Sequence, residues 1–321
     1  MRIAFVGKGG SGKTTTCALF ARYLASHKHN VLAFDADINQ HLASALGMDS
    51  KSARQLQPLG TQQDRIKSYL AGTNSRVTPE DMAKTTPPGQ GSHLLTLHEQ
   101  NPLSSYFERS INGVRLMAAG EITKDDVGAR CYHGKTGAID LLLSHILDGK
   151  EDYIVVDMTA GADAFSSGLF LRVDVVCLVV EPTEKSLSVY DQLVKYGADH
   201  ELNFVVVGNK IEDKDDMEYI YNRVGNSLLT TIHRSQYVKA LDRGLRPDFN
   251  ELETSTREAL ATLQAYCKEI PRNWDALQRR SIEIHRQNAE KWLNDSVGQD
   301  MNMQIDVEFS LAQAAALRNI A

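Results

Sequence analysis

The chain has 321 residues, 42% apolar and 24% charged, with 35 Lys and Arg against 41 Asp and Glu for a formal net charge of −6. That is ordinary globular usage and excludes a disordered chain, while the mild acidity argues against non-specific nucleic-acid binding, which basic patches drive. No run of about 18 apolar residues marks a transmembrane helix, Met1 leads into MRIAFVGKGG without the apolar core of a signal peptide, and Cys17, Cys131, Cys177 and Cys267 are too far apart for a disulfide framework, so a cytoplasmic, reduced protein is expected.

In chain order, Ile3–Val6, Val31–Phe34, Gly113–Ala118, Tyr153–Val156, Val175–Val180 and Phe204–Val207 read as strands. Most lack polar alternation, as strands buried on both faces of a parallel sheet do. Thr14–Ser26, Ala138–Leu147, Leu187–Asp199 and Met217–Val224 read as helices between them. This rhythm predicts an α/β domain, a mainly parallel twisted sheet flanked by helices. Residues 50–112 break it with Pro58, Gly60, Gly72, Pro79, Pro87, Pro88, Gly89 and Gly91. They are expected to form an irregular, mobile or partner-facing insertion with short helices near Gln63–Leu70 and Pro79–Lys84. A helix near Leu252–Lys268 should close the domain at about residue 270, with Pro271 marking the break. Residues 271–321 then read as a small extension. Trp274–Asn294 is helix-like, with Ile282, Ala289 and Trp292 on one face. Met303–Phe309 alternates as a half-buried strand does, and Leu311–Ile320 reads as a last helix. Such a strand needs a sheet to join.

The strongest motif is Gly7-Lys-Gly-Gly-Ser-Gly-Lys-Thr14, between the first strand and an apolar helix, the context a P-loop requires. Gly9, Gly10, Ser11 and Gly12 can turn backbone amides towards phosphate oxygens, and the helix that opens at Lys13, Thr14 and Thr15 adds its positive end. Lys13 supplies a charge near the β- and γ-phosphates, and the Thr14 hydroxyl can ligate Mg²⁺. The same string contains G-x-G-x-x-G as Gly7, Gly9 and Gly12, and Asp35 ends the second strand where a dinucleotide fold keeps its ribose acid. That competing reading gives no role to Lys13-Thr14-Thr15.

Lys8 refines the motif. Lys8-Gly-Gly-Ser-Gly-Lys-Thr14 resembles the deviant Walker A motif of the ParA/MinD/NifH/ArsA class of P-loop ATPases. The resemblance implies that Lys8 reaches the partner's nucleotide across a homodimer. It implies that Asp37, in Phe34-Asp-Ala-Asp37, orients the attacking water or a Mg²⁺-bound water. In Val155-Val-Asp-Met-Thr-Ala-Gly161, Asp157 would hold Mg²⁺ through water and Gly161 would sense the γ-phosphate. Asn209, in Val207-Gly-Asn209-Lys210, would contact adenine, since an amide offers both donor and acceptor.

Over residues 1–265 the order of motifs is similar to the CooC-type ATPases, accessory proteins for nickel loading of carbon monoxide dehydrogenase. These have a Cys-x-Cys before a helix, a D-M-x-A-G switch and a V-E-P-x-x-x-S-L segment. Here Cys131-Tyr132-His133 stands where that family has Cys-x-Cys. Two protomers would still supply a Cys₂His₂ set suited to Zn²⁺ or Ni²⁺. A partly buried cysteine beside a helix-start histidine is the plainer alternative. The departure also weakens any bridging iron–sulfur cluster, and Cys17 and Cys177 read as core residues.

The resemblance therefore implies a slow Mg²⁺-dependent ATPase, stimulated by its dimer or a partner, that binds ATP and ADP and serves a client protein as a maturation or metal-insertion factor. The alternative is a regulatory or positioning switch of the ParA/MinD kind that binds a protein partner without metal. Residues 271–321 hold six basic and seven acidic residues, so no basic tail for DNA exists. Leu311–Ile320 carries only Arg318, too little charge for an anionic membrane surface.

Overall fold

The computed structural model describes residues 1–121, 132–161, 164, 168–197, 200 and 202–320. In chain order the strands are β1 Arg2–Gly7, β2 Asn30–Asp35, β3 Leu95–Thr96, β4 Arg109–Ile111, β5 Val114–Ala118, β6 Ile146–Leu147, β7 Asp152–Asp157, β8 Val175–Val180, β9 Asn203–Ile211 and β10 Leu228–His233. Eight form one sheet in the order β10-β9-β8-β1-β7-β2-β5-β4, parallel except for β4 against β5, while β3 and β6 pair separately. All six expected strands are present. β3, β4, β6 and β10 are additional to them.

The sheet explains the near-continuous apolar runs. Ala4, Val6, Ile154, Val156, Val176 and Leu178 pack towards the helix Tyr132–His145. Ile3, Phe5, Tyr153, Val155, Val175 and Cys177 pack towards the helices Lys13–Ser26 and Thr254–Glu269. Because side chains alternate between faces, a strand covered on both sides must be apolar at every position. Cys17, Cys177 and Cys267 are buried free thiols, and burial pushes all three up from the ordinary thiol range.

The order of strands settles the competition at the glycine loop. β7 lies between β1 and β2, with Phe5 and Asp35 both level with Asp157. A dinucleotide fold of the ordinary order would set β2 beside β1. Here the acid-bearing β7 is the neighbour of the loop strand, which is the arrangement a P-loop site needs. Asp35 is buried, and its carboxylate accepts from the amides of Asp37 (3.2 Å) and Leu42 (2.9 Å), so it shapes a turn instead of facing a ribose.

The insertion is more integrated than its composition suggests. The helix Gln63–Ala71 is present, and Leu59, Ile66, Leu70, Leu95, Leu97, Leu103 and Phe107 enter the core. Residues 79–84 form turns and not a helix. Thr78 Oγ1 meets Asp81 Oδ2 at 3.0 Å and accepts from its amide, and Pro87-Pro88 follows. Side-chain bonds to local backbone compete with a helical ladder, and a residue before proline avoids helical geometry.

The extension differs from expectation in two places. Helix Trp274–Asn288 continues through a wide π-type turn, Ala289–Leu293, into Asn294–Val297. The added backbone shifts the phase, so Leu293 turns inward while Trp292 is 47% exposed; Ile284 and His285 are buried and Ile282 only half so. Residues 303–309 are not a strand. A 3₁₀ turn, Met301–Gln304, is followed by irregular chain. Met303 and Val307 are 67% and 70% exposed, whereas Gln304 and Asp306 point inward. Gln304 accepts from Thr86 Oγ1 (2.6 Å) and donates to the Asp81 carbonyl (2.9 Å), and Asp306 accepts from the Gln90 amide (2.9 Å). Ile305 is buried between them, so burial does not follow the alternation of the sequence: polar partners on the insertion take Gln304 and Asp306 inward beside it. His285 completes the contact, with Nδ1 at 3.1 Å from Thr85 Oγ1 and Nε2 donating to the Met301 carbonyl at 2.9 Å.

His145, at the end of its helix, is fully buried. Its Nδ1 donates to the Leu141 carbonyl (2.9 Å), and Nε2 has no hydrogen-bond partner among the described residues. Burial, reinforced by the Arg172 charge, lowers its pKa from 6.5 to about 4. The unfolded chain therefore binds the proton first, and stability should fall with pH between about 6.5 and 4, by up to about 1.4 kcal/mol per unit. Urea unfolding at pH 7 and pH 5 should show this loss, and His145→Gln should flatten it. An equal slope in the variant would assign the acid sensitivity elsewhere.

Candidate active site

The loop after β1 turns through Gly10 (φ 88°) and Gly12 (φ 89°), the left-handed region where a side chain is strained. At Gly12 a Cβ would also lie 2.1 Å from Asn209 Nδ2, so the Asn209 side chain would have to move away. Asn209 Nδ2 donates to the Ser11 carbonyl at 2.8 Å and buttresses the loop. Lys210 Nζ donates to the Gly10 carbonyl (2.5 Å) and pairs with Glu181 (3.1 Å). Helix Lys13–Ser26 starts without a side-chain cap and without an acid in its first turn. Its first amides are therefore left for an anionic ligand, with the helix dipole behind them.

Lys13 Nζ lies between two carboxylates, 2.8 Å from Asp37 Oδ2 and 2.7 Å from Asp157 Oδ1, and Thr14 Oγ1 donates to Asp157 Oδ2 at 2.7 Å. Burial works against the Lys13 charge, but Asp157 and Asp37 outweigh it and raise its pKa to about 12. For Asp37, burial is overcome by Lys13 and by hydrogen bonds from Asn39, so its carboxyl is held below the ordinary range. For the fully buried Asp157, burial wins over Lys13 and Thr14 and pushes the pKa up. Burial and then the Asp157 charge push Asp35 well up. One cation thus balances a carboxylate cluster directly beneath the loop.

Gly161, at φ 69°, donates its amide to the Gly7 carbonyl at 2.9 Å and ties the segment after β7 to the loop. On the other side of Asp37, Gln40 Nε2 donates to the Asp37 carbonyl (2.5 Å) and its Oε1 accepts from the Gly120 amide (3.0 Å). Lys8 is exposed at the rim of a cleft of about 640 Å³, whose lining also includes Gly9, Gly10, Thr14, Thr15 and Asn209. The structure thus gathers Lys8, the glycine loop, Lys13, Thr14, Thr15, Asp37 and Asn209 around one cavity, with Asp157 bonded to Lys13 and Thr14 beneath it and Gly161 on the Gly7 carbonyl.

The far wall was missed by sequence reasoning. It consists of the end of β10 and the start of the next helix, including Ile232, His233, Arg234, Ser235 and Gln236. The run Leu228-Leu-Thr-Thr-Ile-His233 carries the β-branched signal that could have found it. Cys131 lies outside the described residues. His133 has its backbone in helix Tyr132–His145, with its side chain outside the description. Among the described residues no group of three or more His, Cys, Asp or Glu could hold a metal ion, and no helix is long and apolar enough to cross a membrane.

Comparison with known proteins agrees with this geometry. The family model described as CobQ/CobB/MinD/ParA nucleotide binding domain matches residues 3–247. The carbon monoxide dehydrogenase accessory protein CooC of Rhodospirillum rubrum is 28% identical over 245 residues, 76% of this chain and 87% of that protein. The MinD cell division ATPase of Pyrococcus furiosus superposes with a TM-score of 0.54 at 19% identity, covering 84% of this chain and 99% of that one. A plasmid partition protein of Borrelia burgdorferi, solved with AMPPNP, gives 0.54 at 17% identity over 84% and 99%. At such identities these two structures show the fold alone. The fold is that of a P-loop NTPase of the deviant Walker A class, and the chain belongs to the CobQ/CobB/MinD/ParA nucleotide-binding family.

Proposed function

We propose that the chain is an ATP-gated switch. It binds Mg-ATP in the cleft, pairs with a second copy around the nucleotide, and acts on a partner protein through the change that hydrolysis brings. The observation that carries this reading is the Lys13 ammonium held by Asp37 and Asp157 at the mouth of an uncapped helix. A triphosphate in the loop offers Lys13 a competing anion. As Lys13 turns to the phosphates, Asp37 is released to place the attacking water, and Asp157 and Thr14 are the residues that would hold Mg²⁺, which would supply charge neutralisation on the phosphates. Positioning and charge stabilisation are most of what phosphoryl transfer requires. Both released carboxylates stand on segments with further attachments: Asp37 to Gly120 through Gln40, and Asp157 to Gly161 and the loop. Nucleotide state therefore moves two surface segments together, the usual form of such a switch. The exposure of Lys8 at the rim supports the reading in which it completes a partner copy's site.

Light scattering tests this. The protein should be monomeric with ADP and dimeric with Mg-ATP or a non-hydrolysable analogue. A mass independent of nucleotide overturns the reading.

A second reading, an accessory factor for metal insertion, is favoured by the likeness to the Rhodospirillum accessory protein. In it Cys131 and His133 of two copies would hold Zn²⁺ or Ni²⁺, and the dimer should retain about one metal ion that Cys131→Ser loses. ATP-dependent dimer free of metal favours the plain switch.

A further inference from the structure

We propose that Glu253 is a positioning residue for the base-side wall of the nucleotide cleft, holding the first turn of the helix Gln236–Asp242 in the place where a base and ribose must pack. The proposal rests on reading the cleft as an ATP site. Glu253 lies beyond the stretch matched by the family model and does not line the cleft itself.

The cleft runs from the phosphate loop to the end of β10, where Ser235 and Gln236 form its far side. Ser235 Oγ donates to Glu253 Oε2 at 2.7 Å, and the amides of Gln236 (2.8 Å) and Tyr237 (3.2 Å) both donate to Oε1. Ser235 Oγ in turn accepts from the Val238 amide at 3.0 Å. One carboxylate and one hydroxyl therefore take up the opening amides of this short helix, which alone would be marginal in water. Glu253 is itself the residue before Thr254–Glu269, a longer helix anchored in the core by Leu260 and Leu263. The carboxylate is thus fixed from a rigid element and transmits that position to a seven-residue helix at the ligand wall. Burial alone would raise its pKa, but the Ser235 hydroxyl and the backbone amides outweigh it and lower it, so the acceptor is ionised at neutral pH. Charge-assisted bonds of this kind are the strong ones.

With the phosphates in the glycine loop, a bound ATP would bring its base and ribose to this wall at the other end of the cleft, which separates this role from general structural support. Binding of Mg-ATP and of Mg-tripolyphosphate, which lacks base and ribose, should be measured for the wild type, Glu253→Ala, Glu253→Gln and Ser235→Ala. Glu253→Ala should weaken ATP about tenfold while tripolyphosphate stays within about twofold. Glu253→Gln, which keeps acceptor oxygen towards the amides, should recover most of the loss, and Ser235→Ala should lose about threefold for ATP only. Unchanged ATP affinity in Glu253→Ala, or equal weakening of both ligands, overturns the proposal. Should Glu253→Ala fail to fold, Ser235→Ala and Glu253→Gln decide by the same contrast between the two ligands. Failure of the wild type to bind either ligand would instead overturn the nucleotide reading of the cleft.

Discussion

Lys13→Ala should reduce ATP affinity by at least about 100-fold, roughly 2.7 kcal/mol, because the lost ammonium is the buried charge that would turn from Asp37 and Asp157 to the phosphates. Its second effect is less usual. Lys13 also balances Asp37 and Asp157, and removing one partner of a buried ion pair costs about 3–5 kcal/mol. The variant should therefore unfold earlier even without nucleotide, and the size of the deficit should depend on pH. Burial already raises Asp157, and without Lys13 its folded-state pKa moves further above the ordinary 3.8. A carboxyl whose folded pKa is raised binds its proton more readily when folded. Stability then falls as pH rises above the unfolded value, and it recovers as pH falls towards about 4. The gap in melting temperature between the wild type and Lys13→Ala should accordingly narrow on acidification. A variant that binds ATP normally would disprove the P-loop assignment. One with no stability deficit at pH 7 would show that the carboxylates do not depend on Lys13.

Lys8→Ala should separate binding from assembly. Lys8 is exposed in the single chain, so its removal should change ATP affinity by no more than about threefold, as exposed charges contribute about 0–1 kcal/mol. Inserted across a dimer, the same charge would be desolvated against phosphate, where close charge pairs are worth about 2–5 kcal/mol. The dimerisation constant with Mg-ATP should therefore weaken by at least about 30-fold. Equilibrium sedimentation at several protein concentrations measures both the constant and its nucleotide dependence. A Lys8→Ala variant that dimerises as the wild type does would exclude the trans role of this lysine.

Much of the site is visible in sequence because its demands are local. Gly12 must be glycine for its backbone conformation, Lys13 and Thr14 must follow it at a helix start, and Asp157 must end a strand. The buried strands announce themselves for a related reason: both faces are covered, so every residue is apolar. What failed to show depends on partners distant in the chain. β10 is half-buried over Leu228–Thr231, and its Thr230-Thr231 pair dilutes the apolar run. Residues 303–309 alternate in sequence but not in burial: Gln304, Ile305 and Asp306 are buried in succession, because Thr86, Asp81 and Gln90 of the insertion take the polar groups inward beside Ile305. The Gly- and Pro-rich composition of the insertion suggested mobility, yet Ile66, Leu103 and Phe107 are fully packed. The helix Ala138–Leu147 expected from periodicity begins earlier, at Tyr132, and gives way to β6 after His145.

On the function proposed above, two copies make one working ATPase. The most direct test is the rate of Mg-ATP hydrolysis per chain, at saturating ATP, across a range of protein concentrations spanning the dimerisation constant. The rate per chain should rise with concentration and level off as dimers fill, and Lys8→Ala should stay flat and low throughout. A rate per chain independent of concentration, equal in the wild type and Lys8→Ala, would rule out a shared site and describe an ATPase complete within a single chain.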